Sequence, residues 1–347
     1  MSILDKKESV DDALNWRIRI TVLVLLCCQN AGHALLTRYS QGVLKEHYSS
    51  TEVVMVGEVI KLAVSGYLSI TDNTETDAKG IGLYKLWWLI RHCSNIIVLV
   101  VLYALANLLT YYALARVDAS VYTVLIQLKI LTTAGFSVLL RNKVVTPIQW
   151  RALLLLVVGC VLVASSAYNQ PVDCSIEQTT LSSGKIVDSS QEYSAMSASG
   201  MQTLLGIGAV ITMVILSGYS AVYFESLLKS GEKGVTIWER NFQLSFCSVW
   251  LLIAIIIYEQ STGEDDGLPV FAGWTINTVM ITLISAVGGL LVAACLKYAD
   301  AILKTLACSG AIVLTAVLGF LLLDGQLDII VGLGCVCAIL AITNYNF

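Results

Sequence analysis

The segment Lys297-Tyr-Ala-Asp-Ala-Ile-Leu-Lys304 separates two uninterrupted apolar runs, near 275–297 and 300–323. A helix needs about 20 mainly apolar residues to cross the hydrocarbon core of a bilayer. Both runs have that length, so the short turn joins two antiparallel membrane spans. Windows of the same size recur near 18–36, 51–70, 94–114, 118–140, 148–168, 203–228, 236–258 and 327–346, which brings the expected number of spans to ten. Composition agrees: 56% of the 347 residues are hydrophobic and 13% charged, against about 45–50% and 25% in soluble domains. The expected fold class is an all-α polytopic membrane protein.

Basic residues orient the spans. With the N-terminus in the cytosol, thirteen of the 21 lysines and arginines fall on the cytosolic side, among them Arg17, Arg19, Lys85, Arg91, Arg141 and Lys143. Arg38, Lys45, Arg116 and Lys185 fall on the far side. The positive-inside rule then puts both termini in the cytosol. The start, MSILDKKESVDDALNW, lacks an apolar stretch behind a basic one, so no cleaved signal peptide is expected. Residues 169–200 are rich in Ser, Thr and Gln and read as a flexible linker on the far side. The linker divides an N-terminal five-helix half, 1–168, from a C-terminal half, 201–347.

The opening turn has a counterpart 182 residues earlier. Ala115-Arg-Val-Asp-Ala-Ser-Val-Tyr122 also joins two apolar runs through an Asp-Ala pair, with Asp118 standing where Asp300 stands in the second copy. With five spans in each half, the first turn faces the far side and the second the cytosol. That is an inverted-topology repeat, a construction used by alternating-access carriers with a midplane site.

Ionisable groups at membrane depth are costly and mark candidate functional positions. Lys129 lies mid-span in Val124-Leu-Ile-Gln-Leu-Lys-Ile-Leu-Thr-Thr133. Its nearest acid in sequence, Asp118, is about 16 Å away along a helix. A central lysine without a local partner suggests an anionic ligand, and a salt bridge to another helix is the alternative. Lys297 and Lys304 bracket the Asp300 turn and are candidates for the same ligand, or for pairing with Asp300. Glu58 and Lys61, three apart on one helix, can neutralise each other and read as a structural or gating pair. Glu225, at the end of a span, reads as solvated. Tyr103 and Asn107 share a helix face, and Tyr122 lies on the face of Lys129 seven residues on. A tyrosine ring with its polar tip suits a base or a sugar. The small residues of the eighth and ninth spans, among them Gly288 and Gly289, read as helix-packing positions.

Other classes fit poorly. A net charge of −4 lacks the basic stripe that nucleic acid requires. An amine carrier should hold acids, not lysines, at its core. A membrane-embedded enzyme would need a cluster of catalytic groups, yet His33, His47 and His92 are the only histidines and are far apart in sequence. Of the ten cysteines, only Cys174 sits in a long polar stretch, and Cys335 and Cys337 fall on different helix faces, so neither a disulfide framework nor a metal site is expected.

Tyr103 to Asn107, Asp118-Ala-Ser-Val-Tyr122, Gln127-Leu-Lys-Ile-Leu-Thr-Thr-Ala134, Val222-Tyr-Phe-Glu225, Trp238-Glu-Arg-Asn241 and Lys297-Tyr-Ala-Asp300 resemble the nucleotide-sugar transporters of the Golgi. The likeness is to the branch that carries CMP-sialic acid, UDP-galactose and UDP-N-acetylglucosamine, and it runs from Asn15 to the last span. It implies ten helices of the drug/metabolite transporter type and antiport of nucleotide sugar against nucleoside monophosphate, with no cofactor. By the same resemblance Lys129 and either Lys297 or Lys304 would meet phosphate. Tyr103, Asn107, Tyr122, Ser217 and Tyr223 would line the nucleotide and sugar pockets. The family often has Thr-Tyr before Gln-Leu-Lys where this chain has Leu125-Ile126, which leaves base and sugar specificity open. The Gly-Ala-Leu-Asn-Lys motif of GDP-mannose carriers is missing. Membrane lipid, a second copy of the chain and glycosyltransferases are the further partners to consider.

Overall fold

Inside a bilayer every backbone N–H must find its acceptor within the segment, so apolar runs of this length fold as helices. The computed structural model describes residues 3–71, 83–114, 116–168, 189–229, 235–262, 271–322 and 329–346. Among these there are twelve α-helices: α1 (Ile3–Arg38), α2 (Ser50–Thr71), α3 (Leu83–Arg91), α4 (Ser94–Leu114), α5 (Ala119–Ile126), α6 (Lys129–Arg141), α7 (Pro147–Tyr168), α8 (Ser189–Lys229), α9 (Ile237–Thr262), α10 (Ile276–Tyr298), α11 (Ala301–Leu322) and α12 (Ile329–Asn346). Nine stretches of the described residues are long and apolar enough to cross a membrane, and the apolar part of α12, Ile329–Tyr345, is shorter. The chain is a multi-pass helical membrane protein.

Local chemistry sets several boundaries. Thr275 caps α10: its side chain accepts from the Thr278 N–H while its own N–H is satisfied by the Thr278 side chain. Asn142 ends α6 at φ 50°, a left-handed position that asparagine tolerates. The expected 118–140 span is two helices, α5 and α6, broken at Gln127–Leu128. The short α3 was not expected from hydropathy, because Lys85 interrupts its apolar pattern. Lys85 is nevertheless buried: it pairs with Glu239 of α9 at 3.0 Å and donates to the Ser69 carbonyl of α2 at 2.7 Å. Of the expected linker, residues 169–188 lie outside the described residues, and 189–200 belong to α8.

The principal helix pairs are α7 with α12, α2 with α9, α4 with α8, α1 with α10 and α11, α6 with α8 and α11, and α2 with α10. One apolar core joins α1, α6, α7, α11 and α12 through Leu26, Ile130, Leu156, Ile302 and Ala338. A second joins α4, α8 and α10 through Ile96, Leu99, Val222, Phe224 and Leu296. Leu139, Leu205, Ile257 and Leu321 point outward and are exposed, as a lipid-facing surface requires.

α7 and α12 cross backbone to backbone. A Cβ on Gly159 would lie 2.8 Å from the Ala338 nitrogen, and one on Gly334 would lie 2.8 Å from the Gly159 oxygen. Neither neighbour is a flexible side chain that could yield. Gly159→Val should therefore force the helices apart at a cost of about 1–3 kcal/mol, the usual penalty of overpacking. Gly332, also on α12 but with open space around it, is the control: Gly332→Ala should leave the melting temperature in detergent unchanged or raised, while Gly159→Val lowers it.

Candidate functional site

The break between α5 and α6 presents Lys129. The Gln127 and Leu128 amides reach back only three residues, to the carbonyls of Val124 and Leu125, which tightens the turn before α6 begins. Thr133 Oγ1 then donates to the Lys129 carbonyl at 2.7 Å, and Thr132 Oγ1 donates to the same carbonyl and to Val214 of α8, both at 3.2 Å. Gly218 of α8 makes this possible, since a Cβ there would sit 2.6 Å from Thr132 Oγ1. Lys129 is the ninth residue of the Val121–Arg141 span, near its middle. Among the described residues it forms no ion pair. The charged group within its electrostatic reach is another cation, Lys304 of α11, with the Cys308 thiol one turn further on. Asn30 of α1 donates to the Cys308 sulfur at 3.6 Å. Lys304 likewise forms no ion pair among the described residues. Lys129 of α6 and Lys304 of α11 thus lie within electrostatic reach of each other, and Asn30 of α1 is tied to Cys308 beside them.

A second polar cluster gathers around Gln29 of α1, the residue before Asn30, on the α2 and α10 side. Lys61 pairs with Glu58 at 2.6 Å, and Tyr103 of α4 lies within electrostatic reach of that carboxylate. The stem of Lys61 crosses Gly289, where a Cβ would lie 2.6 Å from Lys61 Cδ, and the Gln29 amide lies over Gly288 and donates to the Ile284 carbonyl at 3.0 Å. Expected to serve helix packing, Gly288 and Gly289 instead make room for polar side chains. Among the described residues, Glu58 Oε2 and Gln29 Oε1 are buried without a hydrogen-bond partner. The cluster therefore offers two free acceptors.

Aromatic rings form a further wall. Tyr223 donates its hydroxyl to the Asn95 carbonyl at 3.2 Å and stacks on Tyr219, with centroids 5.9 Å apart; Tyr219 meets Phe136 edge-on at 5.6 Å. Tyr219 was not singled out from sequence, and its spacing of four from Tyr223 was the available signal. Ser217 is half-buried beside Gly218, Tyr122 packs half-buried against the cluster of Val117 and Met213, and Asn107 is exposed. Lys297 takes a different direction from Lys304: its ammonium lies 5.9 Å from the Tyr298 ring. Of the two, Lys304 is the lysine brought toward Lys129, because the helix is interrupted at Ala299–Asp300 and does not carry both along one face.

The end of the bundle at the α10–α11 turn is held by two carboxylates. Glu225 is 3% exposed, which corrects its reading as a solvated end. It pairs with Lys229 at 2.8 Å and Arg141 at 3.5 Å and accepts from the Ala301 N–H at 2.9 Å. Lys229 also donates to the Ala299 carbonyl. Asp300 pairs with Lys143 at 2.5 Å and Arg19 at 3.6 Å and accepts from the Leu303 N–H at 2.8 Å. Neither Lys297 nor Lys304 takes Asp300, because cations from α1 and the α6–α7 turn occupy it. Asp118, the counterpart of Asp300, is exposed and forms no ion pair among the described residues.

A multi-pass helical protein with unpaired cations at membrane depth is built to handle an anion. The profile of the nucleotide-sugar transporter family matches residues 14–346. A UDP-N-acetylglucosamine/UDP-N-acetylgalactosamine transporter of Caenorhabditis elegans is 32% identical over 90% of this chain and 88% of its own length. The UDP-N-acetylglucosamine transporter of Canis lupus familiaris is 31% identical over 96% and 97%, and the UDP-galactose transporter of Schizosaccharomyces pombe 29% over 96% and 90%. A solved crystal structure superposes with a TM-score of 0.58 at 13% identity, covering 92% of this chain and 98% of that one, a likeness of fold alone. The chain belongs to the nucleotide-sugar transporter family.

Asp300 makes the charged end sensitive to acid. Burial works to raise its carboxyl, but the Lys143 charge and hydrogen bond, the Leu303 amide and Arg19 outweigh it and hold the group below its ordinary value of 3.8. A carboxyl depressed in the folded state contributes stability above its unfolded pKa and loses it as pH falls through the folded one. Asp300→Asn should thus cost about 1.5–3 kcal/mol at pH 7, the range for hydrogen bonds to a charged group. In unfolding measured on both proteins, the gap should hold down to the ordinary carboxyl value and narrow below it.

Proposed function

We propose that this chain is a Golgi antiporter that brings a pyrimidine nucleotide sugar, a UDP-N-acetylhexosamine or UDP-galactose, into the lumen in exchange for nucleoside monophosphate. The observation that carries the reading is that Lys129 and Lys304, which form no ion pair among the described residues, lie within electrostatic reach of each other in a member of the nucleotide-sugar transporter family. Phosphate is the shared part of incoming sugar donor and outgoing monophosphate, and two ammonium groups can hold it as point charges. Tyr103, Asn107, Tyr122, Ser217 and Tyr223 are the residues for the base and sugar, and Glu58 and Lys61 border the site. The names of the relatives favour UDP-sugars over CMP-sialic acid.

The carrier works by alternating access on ten spans arranged as two inverted five-helix repeats. What supports this is the pattern of helix contacts. Taking α1, α2, α4, α5–α6 and α7 as one half and α8 to α12 as the other, α4 on α8 has its mate in α10 on α1. The contact of α1 with α11 has its mate in α8 with α6, and α7 with α12 and α2 with α9 are self-paired. Exchange follows from charge: in the empty site the two lysines repel in a medium of low dielectric, and either phosphate ligand relieves that repulsion. The charged end is cytosolic in this reading, by the excess of basic residues there.

Three measurements test it. Proteoliposomes preloaded with UMP should take up labelled UDP-N-acetylglucosamine much faster than empty ones; equal rates would exclude exchange, and preference for preloaded CMP would move the substrate to CMP-sialic acid. Lys129→Ala should weaken UMP binding by about 2–5 kcal/mol, the cost of truncating one partner of a buried charged contact, or roughly 30-fold to several thousandfold. Wild-type affinity in that variant would remove Lys129 from the phosphate site. Cysteines placed at Asn142 and His47 should react with impermeant maleimide from the cytosol and the lumen, respectively.

A further inference from the structure

A cavity of about 770 Å³, lined by neither Lys129 nor Lys304, lies between α1 and α12 with α11 as its floor. α1 rests on α10 and α11, and α12 rests on α7 and α11, so the cavity is a lateral slot in the side of the bundle. Its wall is apolar and built from membrane spans, including Leu23, Val24, Leu306, Ala307, Gly310 and Ile342. Its floor follows α11 from Asp300 to Gly310, ten residues or about 15 Å of helix. That is half of the roughly 30 Å of bilayer hydrocarbon, the depth of one leaflet.

The slot ends at the charged end, beside Arg19, Lys143 and Asp300. Two cations share one carboxylate there, which leaves an excess of positive charge. Asp300 is engaged by Lys143 at 2.5 Å and by the Leu303 N–H, while the Arg19 contact is longer, at 3.6 Å, and the Arg19 side chain is 43% exposed. Its guanidinium can therefore turn a planar pair of donors to a phosphate. Trp16, 63% exposed at the mouth, is the residue type that lies at the headgroup level. An apolar groove one leaflet deep with a cationic end matches a phospholipid, not a second protein or the polar substrate.

We infer that this slot binds an anionic phospholipid of the leaflet at the charged end, its headgroup phosphate at Arg19 and Lys143 and an acyl chain along Leu23, Ala307 and Gly310. The site is separate from the Lys129–Lys304 centre and stands whichever side of the membrane the charged end faces.

The test uses the full chain in detergent with added dioleoyl-phosphatidylserine or dioleoyl-phosphatidylcholine, read by native mass spectrometry and melting temperature. Phosphatidylserine should be retained and should raise the melting temperature more than phosphatidylcholine. Arg19→Gln should weaken its retention about fivefold, the effect of one basic group near an anionic headgroup. Arg17→Gln, which removes the same charge from a residue outside the slot, should not. Ala307→Phe fills the slot and should abolish retention of phosphatidylserine. Equal loss in the Arg17 and Arg19 variants would mean a diffuse basic surface and overturn the site, and so would wild-type retention in Ala307→Phe. Displacement of the lipid by UMP would merge the slot with the substrate path and overturn the separation. If Ala307→Phe does not fold, the Arg17 and Arg19 pair decides alone. Because the readout is lipid, a failure here leaves the exchange reading untouched, and the converse holds.

Discussion

The Lys129 ammonium lies near the middle of a membrane span and forms no ion pair among the described residues, and much of the surrounding structure is what such a group requires. A charge in hydrocarbon costs several kcal/mol unless it faces a polar cavity. The break between α5 and α6 supplies the geometry, the threonine hydroxyls donate to the carbonyl of Lys129 itself, and Gly218 lets α8 come close enough to share Thr132. Within electrostatic reach of the ammonium stands Lys304 in place of an acid. An arrangement of this kind remains unfavourable until an anion enters it.

The architecture was legible in the sequence wherever hydropathy alone decides it. Spans such as Ile276–Tyr298 and Ala301–Leu322 agree closely with the apolar windows, and the short Asp-Ala turn between them is a turn in the structure. Features that depend on tertiary contacts were not legible. α3 is hidden by Lys85, whose partners lie 16 and 154 residues away in sequence. Glu225 reads as solvated because its position at a helix end says nothing of Arg141, Lys229 and the Ala301 amide that bury it. Gly288 and Gly289 read as packing positions because a sequence does not reveal which side chain will cross them.

The candidate site shows the same division. Lys129 stands out in one dimension, because a lysine in an apolar run is rare. The choice between Lys297 and Lys304 does not, since it depends on the direction each takes after the chain reverses at Asp300. The reversal is also where the two ends of the bundle differ. Asp300 is held by two cations and an amide, whereas its counterpart Asp118 is exposed. Among the described residues the Asp300 turn carries ion pairs and the Asp118 turn carries none, so the two turns differ although both contain an Asp-Ala pair.

The crossing of α7 and α12 has a mechanical consequence. Where Gly159 meets Gly334 and Ala338, backbone comes against backbone, with the Leu162 and Val163 side chains alongside. Helices separated by long side chains can slide by small rotamer changes, the shear motion of packed elements. At that crossing the backbones leave no room for rotamer exchange, so this point of the pair is stiffer than its flanks. The interrupted helix at Gln127–Leu128, with its three-residue hydrogen bonds, is a place where bending costs less, and Lys129 follows it directly.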